Sequence, residues 1–391
     1  MINQTAWADG PVAVETGDGT QTENVLIVSE NFGTGHTKAA EALEKGIRES
    51  NGQIGVHTVE LGRELRPQVH RALLASYLGM IQKVPGLWKK VYGQHHSRAF
   101  PRWVEWCLYQ ALYSSLADYL MRYRPRLVVS THPFASSGVA RLIREGFPVS
   151  LCTLITDFSA HGSWIHPETE RYLVTHAGVK DQLERMGVEG DRIFITGIPT
   201  DPRFWESQSR EEVRKRMGLA DMPTVLILGG GLGIGRTDRL VRAAAKWKDR
   251  MQVLVCTGHN RRLKETLEKE EGMNHPHIRI TGYTHRMADW MDAADLIVSK
   301  PGGMTCSEAI AKGKPLLIYG AIPGHEENNS RFMVEQGLAE AAVDDADLDL
   351  WFRRLLSKDP CLDRLRERML NWRHHIHPSH SVNAVLNLLT S

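Results

Sequence analysis

The chain has 391 residues, 42% hydrophobic and 24% charged, an ordinary balance for folded protein that excludes wholesale disorder. Its 48 basic and 46 acidic side chains leave a net charge of only +2, against a dedicated nucleic-acid binder, which needs a surplus of Lys and Arg. At roughly 100–200 residues per domain, the length predicts two or three domains.

Residues 1–22, rich in Gly, Thr, Gln and Asp, predict a flexible leader without the basic and apolar regions of a signal peptide. Residues 24–29 (NVLIVS) form the short apolar, β-branched run of a buried parallel strand. A Gly-rich turn at 32–36 follows, then an amphipathic helix over 37–49. Further strands are predicted at 126–130, 151–156, 171–175 and 192–196. A second series occupies 224–228, 252–257, 278–281, 295–299 and 315–319, with helices such as 236–249 and 305–312 between strands. Alternating strands and helices in two series predict two doubly wound α/β domains, 23–203 and 222–370, joined by a linker over 204–221.

One stretch departs from this alternation. Residues 60–126 hold eleven Lys/Arg and four Asp/Glu, a local balance of +7 that leaves −5 for the rest. Leu73, Tyr77, Met80 and Ile81 fall at helical spacing, and Trp106, Tyr109, Tyr113, Leu116 and Leu120 form a second such series. Trp88, Lys89, Lys90, Trp103 and Trp106 combine amphipathic rings with cations, as a membrane interface favours. Core helices with a solvated basic face account for the same pattern. No apolar run approaches the ~20 residues needed to span a bilayer.

Three glycine-bearing loops carry the candidate chemistry. In Asn31-Phe32-Gly33-Thr34-Gly35-His36, between strand and helix, the backbone can approach a ligand and His36 is placed as a general base. Gly229, Gly230, Gly231, Gly233 and Gly235 crowd a second strand–helix junction, where a diphosphate is the natural guest, although the spacing is not that of a dinucleotide fingerprint. In the third, Lys300-Pro301-Gly302-Gly303-Met304-Thr305, glycines again precede a helix, and Glu308, expected in its first turn, suits the vicinal hydroxyls of a ribose. His325, Glu326 and Asn329 follow the next strand with donors and acceptors for sugar hydroxyls. His132 ends another strand and could line a crevice, and Asp157 ends the 151–156 strand.

Asp157, His161 and His166 share no common face, so no metal site is predicted. Asp347-Leu348-Asp349 matches a metal–nucleotide motif in letters only and reads as a solvated helix start. The five cysteines, Cys107, Cys152, Cys256, Cys306 and Cys361, are scattered, which suggests a reducing, cytoplasmic compartment.

Taken in order, Phe32–His36, Thr156-Asp157-Phe158 with Trp164, the 229–235 loop, and Lys300-Pro301-Gly302-Gly303 with Pro323-Gly324-His325-Glu326 resemble the monogalactosyldiacylglycerol synthase and processive diacylglycerol glucosyltransferase family, related to the glycosyltransferase that forms lipid II. The resemblance runs from about residue 24 to 339 and implies the α/β GT-B architecture: two Rossmann-like domains facing a central cleft, acceptor on the N-terminal domain, UDP-sugar on the C-terminal one. It also implies that a final helix within 371–391 crosses back to the N-terminal domain. By the same likeness His36 is the catalytic base and Glu308 faces the donor ribose. Gly35, Gly230, Gly231, Gly233, Gly258, Gly302, Gly303, Met304 and Thr305 would lie around the donor, and the backbone of Tyr283 and Thr284 would read uracil. Asp157, at its strand end, would orient His36 or another base across the cleft. His325 departs from the glutamine of the family's motif.

The activity so implied is inverting transfer of a hexose, glucose favoured over galactose, from a UDP-sugar to the free hydroxyl of 1,2-diacylglycerol. UDP-glucose or UDP-galactose is then a co-substrate, with no further cofactor and no metal. The protein is expected to be cytoplasmic and peripheral on the inner face of the cell membrane, docked on an anionic surface. Another acceptor on the same fold, such as an undecaprenyl-linked sugar or a soluble aglycone, and a non-catalytic sugar-nucleotide-binding protein are the alternatives.

Overall fold

Val25, Leu26, Ile27 and Val28 are fully shielded from solvent, as their unbroken apolar run requires of a strand covered on both faces. They belong to β1 (Asn24–Ser29), one of twelve strands in a computed structural model that describes residues 24–83, 101–233 and 235–390. The chain divides into two compact units, one built from residues up to Asp201 and from His375 onward, the other from Pro202–His374.

The first unit contains β1, β2 (Gly55–Glu60), β3 (Leu127–Ser130), β4 (Ser150–Leu154), β5 (Arg171–Val174) and β6 (Ile193–Ile195) in a parallel sheet of order β2-β1-β3-β4-β5-β6. The second contains β7 (Thr224–Leu228), β8 (Gln252–Cys256), β9 (Ile278–Thr281), β10 (Leu296–Ser299), β11 (Leu316–Tyr319) and β12 (Glu340–Ala342), ordered β12-β11-β10-β7-β8-β9. Renumbered within its own unit, the second order is the dinucleotide-fold arrangement 3-2-1-4-5-6. The first follows the other common doubly wound order. In each sheet the winding reverses beside its first strand, at β1/β3 and at β7/β10. Open α/β sheets bind ligands outside the carboxyl ends of such strands.

Sequence patterning missed β2 and β12. Both are edge strands: β2 buries only Val56 and Val59, and β12 is three residues long with two exposed. The expected linker carries the helix Arg210–Met217, in which Val213 is fully buried and Arg214, nearly buried, pairs with Asp295 at 2.7 Å. Its polar composition reflects a surface helix of the second unit, correcting the linker assignment. The final helix, Pro378–Leu389, packs on the helix Thr34–Ser50 of the first unit. Gly46 makes that approach possible, since a Cβ there would come within 2.7 Å of the Val382 side chain.

The basic stretch is helical over Pro67–Lys83, Arg102–Leu108 and Leu116–Tyr123, with a π-helical turn at Tyr109–Tyr113. Tyr109, Leu112, Tyr113, Leu116 and Leu120 join the core, whereas Trp103 and Trp106 are 70% and 52% exposed. The two readings of this stretch therefore divide by helix face. Trp88, Lys89, Lys90 and the leader lie outside the described residues.

Candidate active site

The helix after β1 begins at Thr34, a turn earlier than its glycines suggest, with Gly33 extended at its N-cap. Gly35 and His36 thus occupy the first turn, where main-chain N–H groups have no intrahelical partner. His36 is half-buried, and its Nδ1 lies 2.8 Å from the Thr131 carbonyl oxygen and 2.7 Å from Thr156 Oγ1. A carbonyl only accepts, so Nδ1 carries the proton and donates to it. The Nε2 lone pair is left as the basic site. Thr131 Oγ1 donates in return to the His36 main-chain oxygen at 3.1 Å. Asp157, nearly buried, directly follows Thr156.

Aromatic rings enclose this histidine. His132 stands edge-on at 4.6 Å between centroids and 81° between planes, and the fully buried Trp164 lies 6.3 Å away. His132 is 5% exposed and caps the helix Pro133–Arg144, its Nδ1 accepting from Phe134 N at 3.2 Å. Burial, reinforced by the neighbouring imidazoles of His36, His161 and His70, pushes its pKa well below the usual histidine range, so it is neutral near pH 7. Phe32 stacks on His132 at 5.6 Å and meets His70 edge-on at 5.5 Å. Behind them the fully buried Glu30 accepts from Gly62 N at 2.8 Å and Tyr113 OH at 2.7 Å, with His70 Nε2 at 3.3 Å. Glu30 thereby ties the short helix Leu61–Leu65 and the π-helical turn of the basic stretch to the end of β1.

In the second unit the loop after β7 is stitched to the loop after β8. His259 N donates to the Gly231 carbonyl and Asn260 Nδ2 to that of Gly233, each at 2.8 Å. Gly233 and Gly258 have positive φ, and a Cβ at either would fall within 2.4 Å of a main-chain oxygen across the junction. The glycine content is therefore partly demanded by this loop-to-loop packing, beyond any ligand. Gly230 and Gly235 lie against the Lys300 side chain.

Lys300 is the residue whose role the sequence reading missed. Its Nζ pairs with Glu326 Oε1 at 2.7 Å, while Glu326 Oε2 accepts from Ile322 N at 2.7 Å. Asn329, fully buried, donates from Nδ2 to the Pro301 carbonyl at 3.1 Å. Glu326 and Asn329 thus clasp the loops after β7, β10 and β11 together, with both Glu326 carboxylate oxygens engaged by this protein's own groups. His325 begins the helix His325–Glu335 behind Gly324, whose φ of 105° suits glycine alone.

The helix Gly303–Lys312 starts two residues earlier than expected, with Gly302 at its N-cap and Met304 and Thr305 in its first turn. Glu308 is consequently in the second turn, which corrects the first-turn assignment. It is half-buried and raises the pKa of Cys256 together with the larger effect of burial, which places it beside the carboxyl end of β8. Tyr283 stacks on His259 with centroids 4.4 Å apart and planes within 10°, next to Thr284. Asp347 accepts from Val343 N and Asp349 from Trp247 Nε1, so that acidic pair is structural. Among the described residues no group of three His, Cys, Asp or Glu is gathered to hold a metal ion.

Two doubly wound units, each with glycine-rich loops at its switch point, have the GT-B architecture, and the family matches that follow make the chain a glycosyltransferase, a hexosyltransferase. Residues 36–200 match the family described as monogalactosyldiacylglycerol (MGDG) synthase, and residues 224–355 the glycosyltransferase family 28 C-terminal domain. The probable monogalactosyldiacylglycerol synthase 2, chloroplastic, of Oryza sativa subsp. japonica is 32% identical over 84% of this chain and 73% of its own. A processive diacylglycerol beta-glucosyltransferase of Staphylococcus epidermidis is 28% identical over 83% and 82%. In fold, MurG of Acinetobacter baumannii aligns with a TM-score of 0.57 at 15% identity, covering 94% of this chain and 99% of that one. HepE of Anabaena in complex with UDP-glucose gives 0.58 at 11%, with the same coverage. The chain belongs to the monogalactosyldiacylglycerol synthase and processive diacylglycerol glucosyltransferase family.

Proposed function

We propose that this enzyme transfers a hexose, glucose in preference to galactose, from a UDP-sugar to the free hydroxyl of 1,2-diacylglycerol, with inversion. The observation that carries the chemistry is His36, whose Nδ1–H is committed to the Thr131 carbonyl and whose Nε2 is basic. The acceptor oxygen attacks the anomeric carbon as His36 Nε2 takes its proton. The bond from that carbon to the diphosphate oxygen breaks, and UDP leaves with the electron pair. The imidazolium formed is stabilised by its Nδ1–H contact, and a base of this kind contributes about 10²–10⁴ in rate.

The leaving charge would be met by the first-turn N–H groups of the helix Gly303–Lys312, and Glu308 would accept from ribose hydroxyls. The names of the relatives support the lipid acceptor, and the UDP-glucose complex of HepE supports the donor. The preference for glucose rests on the 31–36 turn, which resembles the bacterial glucosyltransferases, against the 229–235 loop, which looks closer to the plant galactosyltransferases. We further propose peripheral attachment to the inner face of the cell membrane through the basic stretch, where Trp103 and Trp106 are exposed. No helix of the described residues is long and apolar enough to cross a membrane.

Incubation with UDP-glucose or UDP-galactose and diacylglycerol micelles, followed by mass analysis of the lipid, tests the whole reading. A hexosyl-diacylglycerol is expected. Donor turnover on another acceptor, with none on diacylglycerol, would overturn the lipid assignment.

A further inference from the structure

His36 and His132 touch edge to face, yet the backbone fixes them in opposite states. His36 Nδ1 faces a carbonyl oxygen, so it is protonated and Nε2 bears a lone pair. His132 Nδ1 faces the Phe134 N–H, so it bears the lone pair and Nε2 is protonated. Two adjacent imidazoles therefore offer Nε2 atoms of opposite polarity, one acceptor and one donor. An alcohol needs that pair, since it donates one hydrogen bond and accepts another.

We propose that His132 is the second contact of the acceptor hydroxyl: its Nε2–H donates to the same oxygen whose proton His36 Nε2 removes. This rests on the transfer reaction proposed above and adds to it a group that orients the nucleophile. With one lone pair held by His132 and the proton directed at His36, the remaining lone pair is the one free to attack. The two rings are in edge-to-face contact, with centroids 4.6 Å apart.

Three features suit His132 to this task. The ring is immobilised by the helix cap and by Phe32 at 5.6 Å and Phe134 at 5.0 Å. Among the described residues no protein acceptor takes its Nε2–H. The titratable groups around it, His36, His161 and His70, all oppose a second positive charge, so the donor state persists while His36 becomes imidazolium.

Two substitutions separate this role from helix capping. In His132→Asn the side-chain oxygen still caps Phe134 N–H, because Asn is a favoured N-cap residue, but the distal donor is gone. In His132→Gln the amide N–H reaches the distal position. His132→Asn should lower kcat/KM for diacylglycerol about tenfold, the worth of one hydrogen bond, with KM for the UDP-sugar and the thermal midpoint unchanged. His132→Gln should recover part of that loss. Wild-type turnover in His132→Asn, or equal loss in both variants accompanied by a lowered midpoint, overturns the assignment. Failure of the transfer reading shows differently, as absence of diacylglycerol-dependent UDP release by the unsubstituted protein, and it sinks both.

Discussion

Thr131 holds His36 at two points: its carbonyl accepts from Nδ1 at 2.8 Å, and its hydroxyl donates to the His36 main-chain oxygen at 3.1 Å. The end of β3 thereby grips the first turn of the helix that follows β1, across 95 residues of sequence. Because the accepting atom is main chain, no single side-chain replacement at Thr131 removes it. The tautomer of the base is a property of the sheet.

His36→Ala removes the base while leaving the second unit's loops untouched. Transfer should fall by about 10²–10⁴. UDP affinity, measured by calorimetry, should stay within about twofold. Transfer at wild-type rate would remove His36 from the chemistry.

Thr156→Val deletes the hydroxyl 2.7 Å from His36 Nδ1 but spares the carbonyl. A drop in kcat of up to roughly tenfold is expected, the worth of one neutral hydrogen bond, with KM for the UDP-sugar unchanged. Steady-state kinetics at saturating lipid reads this directly. A changed donor KM with constant kcat would contradict it.

Glu326→Ala strands two partners, the largely buried Lys300 ammonium and the Ile322 N–H. Breaking a buried pair on one side costs about 3–5 kcal/mol, enough to lower the thermal midpoint and weaken UDP binding together. Thermal melts with and without UDP report both effects. If the variant melts and binds like wild type, the clasp does not organise the donor loops.

Acid should destabilise the fold through its buried histidines. Burial lowers the His166 pKa to about 4, against about 6.5 when unfolded. The unfolded chain binds the extra proton between those values, so stability is full above pH 6.5 and falls as pH drops toward 4. His166 alone accounts for roughly 3 kcal/mol of that fall. His132, shifted in the same direction, adds to it. In His166→Gln, urea midpoints between pH 7 and 4 should vary less steeply, and an unchanged slope would refute the assignment.

Trp103→Ser with Trp106→Ser removes exposed aromatic surface without disturbing the buried face of Tyr109 and Tyr113. Sedimentation with vesicles containing anionic phospholipid should drop severalfold, and salt should weaken the residual binding further. Unchanged sedimentation of the double variant would show that these rings do not dock.

Ten of the twelve strands were legible in the sequence because covered parallel strands must be continuous apolar runs, as in Val225-Leu226-Ile227-Leu228. β2 and β12 escaped because an edge strand needs no such run. The glycine loops were legible as special backbone, but not what each glycine accommodates: Gly233 and Gly258 pack loop on loop, which only the fold brings together. His36 stood out by residue type and position. Its partner Thr131 did not, because it acts through a carbonyl that every residue possesses, and Thr156 stood out only within the Thr156-Asp157-Phe158 motif, without its contact to His36. Lys300 and Glu326 are 26 residues apart, and nothing in either segment announces the pair.

The first unit takes its final helix, Pro378–Leu389, from beyond the second unit. During synthesis the chain emerges from its amino end, and domains generally fold as they become complete. Here the later-made unit, Pro202–His374, has all its strands before the earlier-made unit receives the helix that packs on Thr34–Ser50 and meets Gly46. The half that carries His36 is thus the first to leave the ribosome and the last to close.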